Sequence, residues 1–105
     1  MEQPSGSVVA TLRGTGVMDD LIQETIDSAR RLIHTELETG LTLARVASVA
    51  RYQDKIDRNR ANARKAYDTA LKYIARIALP SGEAAEIQHK LEKLKRELQQ
   101  LGEAI

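Results

Sequence analysis

The apolar residues of this chain recur every three or four positions from Ile22 to its last residue. Only an α-helix turns that period into one continuous face. The spacing therefore predicts helices that bury one stripe each, and the question becomes where one helix stops and the next begins. At 105 residues the chain is long enough for one domain.

The first stripe runs Ile22, Ile26, Ala29, Ile33, Leu37, Gly40, Ala44, Ala47 and Ala50. A helix carrying it is expected to start near Asp19 or Asp20, where carboxylates suit the positive end of the helix dipole. Residues 1–16 hold Pro4, Gly6, Gly14 and Gly16, and read as a flexible or docked tail ahead of a domain covering residues 17–105. They lack the basic start and long apolar run of a signal peptide.

A second stripe, Ile56, Asn59, Ala63, Ala66 with Tyr67, Ala70, Ile74 and Ile77, is out of phase with the first. Continued at 100° per residue, one helix would present the two on different faces. A break near residues 53–57 resolves the conflict, with Asp54 or Asp57 as the cap of the new helix. The rival is a break at Gly40 and one helix from Leu41 to Leu79. In the first version Gly40 stays on the stripe, where its missing side chain admits another backbone at a cost of about 1 kcal/mol against Ala.

Pro80 ends the second helix, and Pro80-Ser81-Gly82 is a turn signal with Ser81 as the next cap. The third stripe, Ile87, Leu91, Leu94, Leu98, Leu101 and Ile105, alternates steps of four and three as a coiled-coil seam does. Glu86 with Lys90 and Glu92 with Arg96 stand at the favourable i,i+4 spacing.

The fold expected is an all-α, antiparallel three-helix bundle. A first helix of roughly 35 residues spans roughly 50 Å, against roughly 33 Å for partners of about 22 residues. Its N-terminal part then overhangs the bundle and leaves apolar residues in water, which a second copy of the chain would cover. The homodimer interface so expected comprises Ile22, Ile26, Ala29 and Ile33, with Gly40 allowing close approach.

The packing must be aliphatic, because the chain has no Phe, no Trp and three Tyr. Such a core suits close helix contacts better than a ligand pocket, which aromatics usually line. The absence of cysteine excludes disulfides, thiolate nucleophiles and Cys-based zinc sites, and fits a cytoplasmic setting. No apolar run approaches the ~20 residues of a membrane span.

No catalytic, cofactor or metal site follows from the remaining residues. Glu86 and His89 have the spacing of one half of a carboxylate-bridged di-metal site, which needs a second such pair and two more glutamates facing inward. His34 falls on the polar side of the first helix, near Glu38. Glu36 stands at the margin of the first stripe, half-buried, and is expected to pair with a base on another helix. Ala63, Tyr67, Ala70 and Leu71 have the spacing of the second helix of a tetratricopeptide repeat, but the proline of that repeat would fall at Ala75, and no family follows.

Charge is unevenly distributed. Residues 1–40 hold seven acidic and three basic side chains, residues 41–79 three and nine, and residues 80–105 five and four. Within the basic middle, Arg58, Lys65, Lys72 and Arg76 form a ridge opposite the apolar stripe, with Asn62 on it and Arg60 and Arg64 beside it. Such a ridge is able to follow a phosphate backbone, unless acidic residues of neighbouring helices neutralise it. The primary functional expectation is a non-enzymatic protein-interaction module acting through helix–helix association. The alternative is a nucleic-acid-binding protein using the basic second helix.

Overall fold

The computed structural model describes the backbone from Ser5 to Ile105 and the side chains from Met18 onward. Three helices follow one another: α1 over Ser5–Val49, α2 over Gln53–Ile74 and α3 over Ser81–Gln100. They pack as an antiparallel bundle in which α1 is the spine, lying against α2 more extensively than against α3. The molecule measures 73 × 27 × 18 Å. The 45 residues of α1, at about 1.5 Å each, account for its long axis.

The first helix starts much earlier than Asp19. Residues 5–16, expected to be a tail, are helical, while the first four residues of that tail lie outside the described residues. The glycines that suggested a tail weaken a helix by about 1 kcal/mol each against Ala. Unlike proline, they neither remove a backbone donor nor clash with the preceding turn, and no proline stands between Pro4 and Pro80.

The break between α1 and α2 falls at Ala50–Tyr52, next to the segment where the stripes change phase and well past Gly40. Neither glycine nor proline makes it. Tyr52 adopts an extended backbone with φ −106° and ψ 134°, and its carbonyl accepts from the amides of Lys55 and Ile56 at 3.1 and 3.0 Å. No side chain caps this end. Asp54 sits in the first turn, and Asp57 instead accepts from Gln53 Nε2 at 2.8 Å. At α3 the cap position is Pro80, with no side-chain cap bond, so Ser81 is the first helical residue and not the cap.

The core is built from Ile33, Leu37 and Ala44 of α1, Ala63, Tyr67 and Ala70 of α2, and Ile87, Leu91, Leu94 and Leu98 of α3. Gly40 lies where the three helices converge. A Cβ built there would stand 2.6 Å from Leu94 Cδ2 and 3.4 Å from Ala66 Cβ. Glycine lets α1 approach both partners at that level.

The end of α3 is closed by a Schellman motif. The Glu103 amide donates to the Leu98 carbonyl and the Gly102 amide to the Gln99 carbonyl, each at 3.0 Å, with Gly102 at φ +99°. This geometry is the common use of glycine just past a helix. Among the described residues no helix is long and apolar enough to cross a membrane.

Candidate interaction surfaces

Two clusters of ion pairs tie the helices together. At one end, Glu83 in the first turn of α3 accepts from Arg30 Nε at 2.8 Å. His34 Nε2 lies 2.9 Å from its other oxygen. The guanidinium, and then the imidazole, hold the Glu83 carboxyl below the ordinary glutamate range. His34 thus makes its direct contact with Glu83, while standing near enough to Glu38 to act on its charge. Glu38 itself meets Lys90 Nζ at 2.7 Å, which lowers the Glu38 pKa and raises that of Lys90.

At the other end Glu103 receives two arginines of α2. Its oxygens lie 3.2 Å from Arg60 Nε and 3.0 Å from Arg64 Nη1. Arg60 Nη1 also donates to the Leu101 carbonyl at 3.0 Å. The positive φ of Gly102 turns the chain so that the carboxylate comes back over α2. These partners were not paired from the sequence. The signal that existed was Gly102, placed just after the last helical turn.

The structure divides the five residues expected at a dimer interface. Ile33 is fully buried and Gly40 packs on Leu94 and Ala66, so both are already covered within the chain. Ile26 and Ala29 are half-buried. Ile22 is 53% exposed, with Met18 at 57% and Leu21 at 52% beside it. Here α1 has run beyond the ends of α2 and α3. Leu21, Ala29 and Leu32 line a groove closed on one side by Tyr73 from α2. A second exposed apolar group, Val46, Val49 and Tyr52, lies at the α1–α2 turn and was not anticipated.

The basic ridge stands clear of the core. Arg58, Lys65 and Lys72 are exposed on α2. Arg76 falls in the turn just after that helix rather than on it, its guanidinium carbon 6.0 Å from the centroid of the Tyr73 ring. Internal neutralisation takes the flanking arginines: Arg60 and Arg64 are held by Glu103, and Arg64 Nε also meets Asp68 at 3.1 Å. Among the described residues no ion pair engages Arg58, Lys65, Lys72 or Arg76.

Of the residues weighed for chemistry, Glu86 and His89 are both exposed on α3. Glu86 serves Lys90 at 3.5 Å. The other anticipated i,i+4 partner, Glu92, accepts instead from Gln88 Nε2 at 2.9 Å. No group of three or more potential metal ligands occurs among the described residues. Glu36 is half-buried as expected, but no basic partner for it occurs among the described residues. Comparison with known protein families, curated proteins and solved structures gives no match.

Proposed function

We propose that this chain is a non-enzymatic interaction module that works through helix–helix association, with a second copy of itself as the partner. The observation that carries this reading is the projecting part of α1, where Met18, Leu21 and Ile22 are each more than half exposed. Met18 and Ile22 continue the stripe that Ile33, Leu37 and Ala44 bury inside the bundle, and Leu21 flanks it on the side of the Tyr73 groove. Contiguous apolar surface of this kind on a soluble domain marks an association site.

The ends of the segment are complementary in charge, with the exposed Glu24 between them. Asp19 and Asp20 stand at one end and Arg31 at the other, so two copies crossing antiparallel bring opposite charges together at both ends of the contact. Arg30 is committed to Glu83, which leaves Arg31 for this role. The titratable groups with shifted pKa values, Glu38, Glu83, Lys90, Arg30 and Arg64, all bridge side chains that tie the fold together. That use supports a structural over a catalytic reading. A cysteine-free chain suits the cytoplasm.

The test is solution mass by light scattering across a range of concentrations. A dimer in the native chain that dissociates in Ile22→Asp, with helix content unchanged, supports the proposal. A native chain that stays monomeric at every concentration overturns it.

A further inference from the structure

We propose that the exposed ridge of α2 is a binding surface for the phosphate backbone of a nucleic-acid duplex, read by charge and not by base sequence. The ridge consists of Arg58, Lys65 and Lys72, extended by Arg76 beyond the helix end. Asn62 and Thr69 fall between the basic residues on the same side of α2. All six are side-chain types that donate hydrogen bonds to phosphate oxygens.

Arg30, Arg60, Arg64 and Lys90 each hold a carboxylate, whereas among the described residues the four ridge cations hold none. Other cations, among them Arg45, Lys55 and Lys95, also hold no carboxylate among the described residues; the ridge is set apart by the alignment of three such cations along one side of α2, with Arg76 just past its end. Asp68 is the carboxylate closest in sequence to both Lys65 and Lys72, and Arg64 occupies it at 3.1 Å. Asp54 stands one turn before Arg58 and bounds the ridge at that end. From Arg58 to Lys72 the charges extend about 21 Å along the helix at about 1.5 Å per residue. Lys65, Thr69 and Lys72 line a shallow groove on this side of α2 together with Asp68, whose carboxylate is paired with Arg64.

The chemistry selects the partner. Protein interfaces bury apolar and aromatic anchors and are depleted in lysine, and the ridge has no large apolar residue. A membrane-surface helix needs bulky apolar side chains opposite its basic face that are free to enter the lipid; on α2 that opposite face, Ala63, Ala66, Tyr67 and Ala70, is already buried in the bundle. Single-strand binders add aromatic platforms on which bases stack. The ridge itself has none, and Tyr73 at its end is half-buried. A row of unpaired cations without stacking residues fits the regular phosphates of a duplex.

The experiment measures binding of the full chain to fluorescent mixed-sequence DNA and RNA duplexes of about 20 base pairs, whose closely spaced phosphates the ridge would neutralise. The salt concentration is varied, with phosphatidylserine vesicles in parallel. Neutralising about four phosphates predicts a slope near −3 to −4 for the logarithm of affinity against the logarithm of salt. Reversing Arg58, Lys65 and Lys72 to Glu should abolish binding while far-UV circular dichroism stays unchanged. The milder Lys65→Gln with Lys72→Gln should weaken it about tenfold or more. Lys95→Glu with Arg96→Glu, exposed on α3, should leave more of the binding than either. Equal affinity in the native and ridge-neutralised chains overturns the proposal. So does binding to the vesicles with none to either duplex, or an affinity that does not change with salt.

Discussion

Gly40 of α1 faces Leu94 of α3 so closely that a methyl group on the first would stand 2.6 Å from Cδ2 of the second. Leu94 is fully buried, so its side chain has little room to withdraw. Overpacking of this kind costs about 1–3 kcal/mol, against about 1 kcal/mol of gained helix propensity. Gly40→Ala should therefore destabilise the bundle despite placing a better helix former in α1. Leu94→Ala alone should cost about 2–5 kcal/mol. In the double variant the added methyl enters the space Leu94 has vacated, so Gly40→Ala should become neutral or stabilising. Urea unfolding of the four proteins measures that coupling, and simple additivity would contradict the close approach.

Gly102 carries the second backbone prediction. At φ +99° an L side chain is strained by roughly 1–2 kcal/mol. Gly102→Ala should lower the midpoint of thermal unfolding, and a d-alanine placed there by synthesis should restore it. Removing the carboxylate that this turn positions, in Glu103→Gln, should cost under about 1 kcal/mol, because its arginine partners are partly exposed.

The ion pairs make stability depend on pH at both ends of the range. Glu83 and Glu38 have depressed pKa values, so their stabilisation is complete above the unfolded-state value, near 4.3. It is lost as pH falls through the lower folded-state values. Lys90 is raised, so its contribution is present below its unfolded-state value and lost as pH rises through the folded one. Urea midpoints from pH 3 to 7 should fall on the acid side, and the fall should be shallower in Glu83→Gln. An identical acid profile in that variant would show that the bridge from α1 to α3 adds no linkage.

A charge introduced along the α1 stripe should act differently at each end. Ile22→Asp replaces a side chain that is 53% exposed and should cost association, with little loss of thermal stability in the monomer. Ile33→Asp buries an unpaired carboxylate in the core and should unfold the chain at neutral pH. Light scattering with circular dichroism separates the two effects. Equal unfolding by both would mean that the projecting segment belongs to the core.

The three helices and most of the core stripe were legible because helical periodicity is local and repeats over many turns. The change of phase puts the α1–α2 break near residues 53–57, with Gly40 as its rival; the observed break at Ala50–Tyr52 adjoins the first of these although no glycine or proline marks it. The start of α1 was not legible: Gly6, Gly14 and Gly16 look like linker residues, yet their helix penalty is far smaller than that of proline. Ion-pair partners such as Glu83 with Arg30, or Glu103 with Arg60, lie far apart in sequence and depend on how helix ends align, which periodicity does not encode. The same limit applies to the interface residues. One stripe contains both Ile22 and Ile33, and only the lengths of α2 and α3 separate the exposed member from the buried one.

An isolated helix in water is limited by the cost of its first turn, after which each added residue needs only one more hydrogen bond. In α1 that first turn is supplied by the packed half, where Ile33 and Leu37 are fixed against the other two helices. The segment from Met18 to Thr25 is therefore propagated from a ready-made nucleus, not nucleated afresh. Its local equilibrium is free to shift residue by residue without breaking the bundle. A partner that docks there has only elongation to complete.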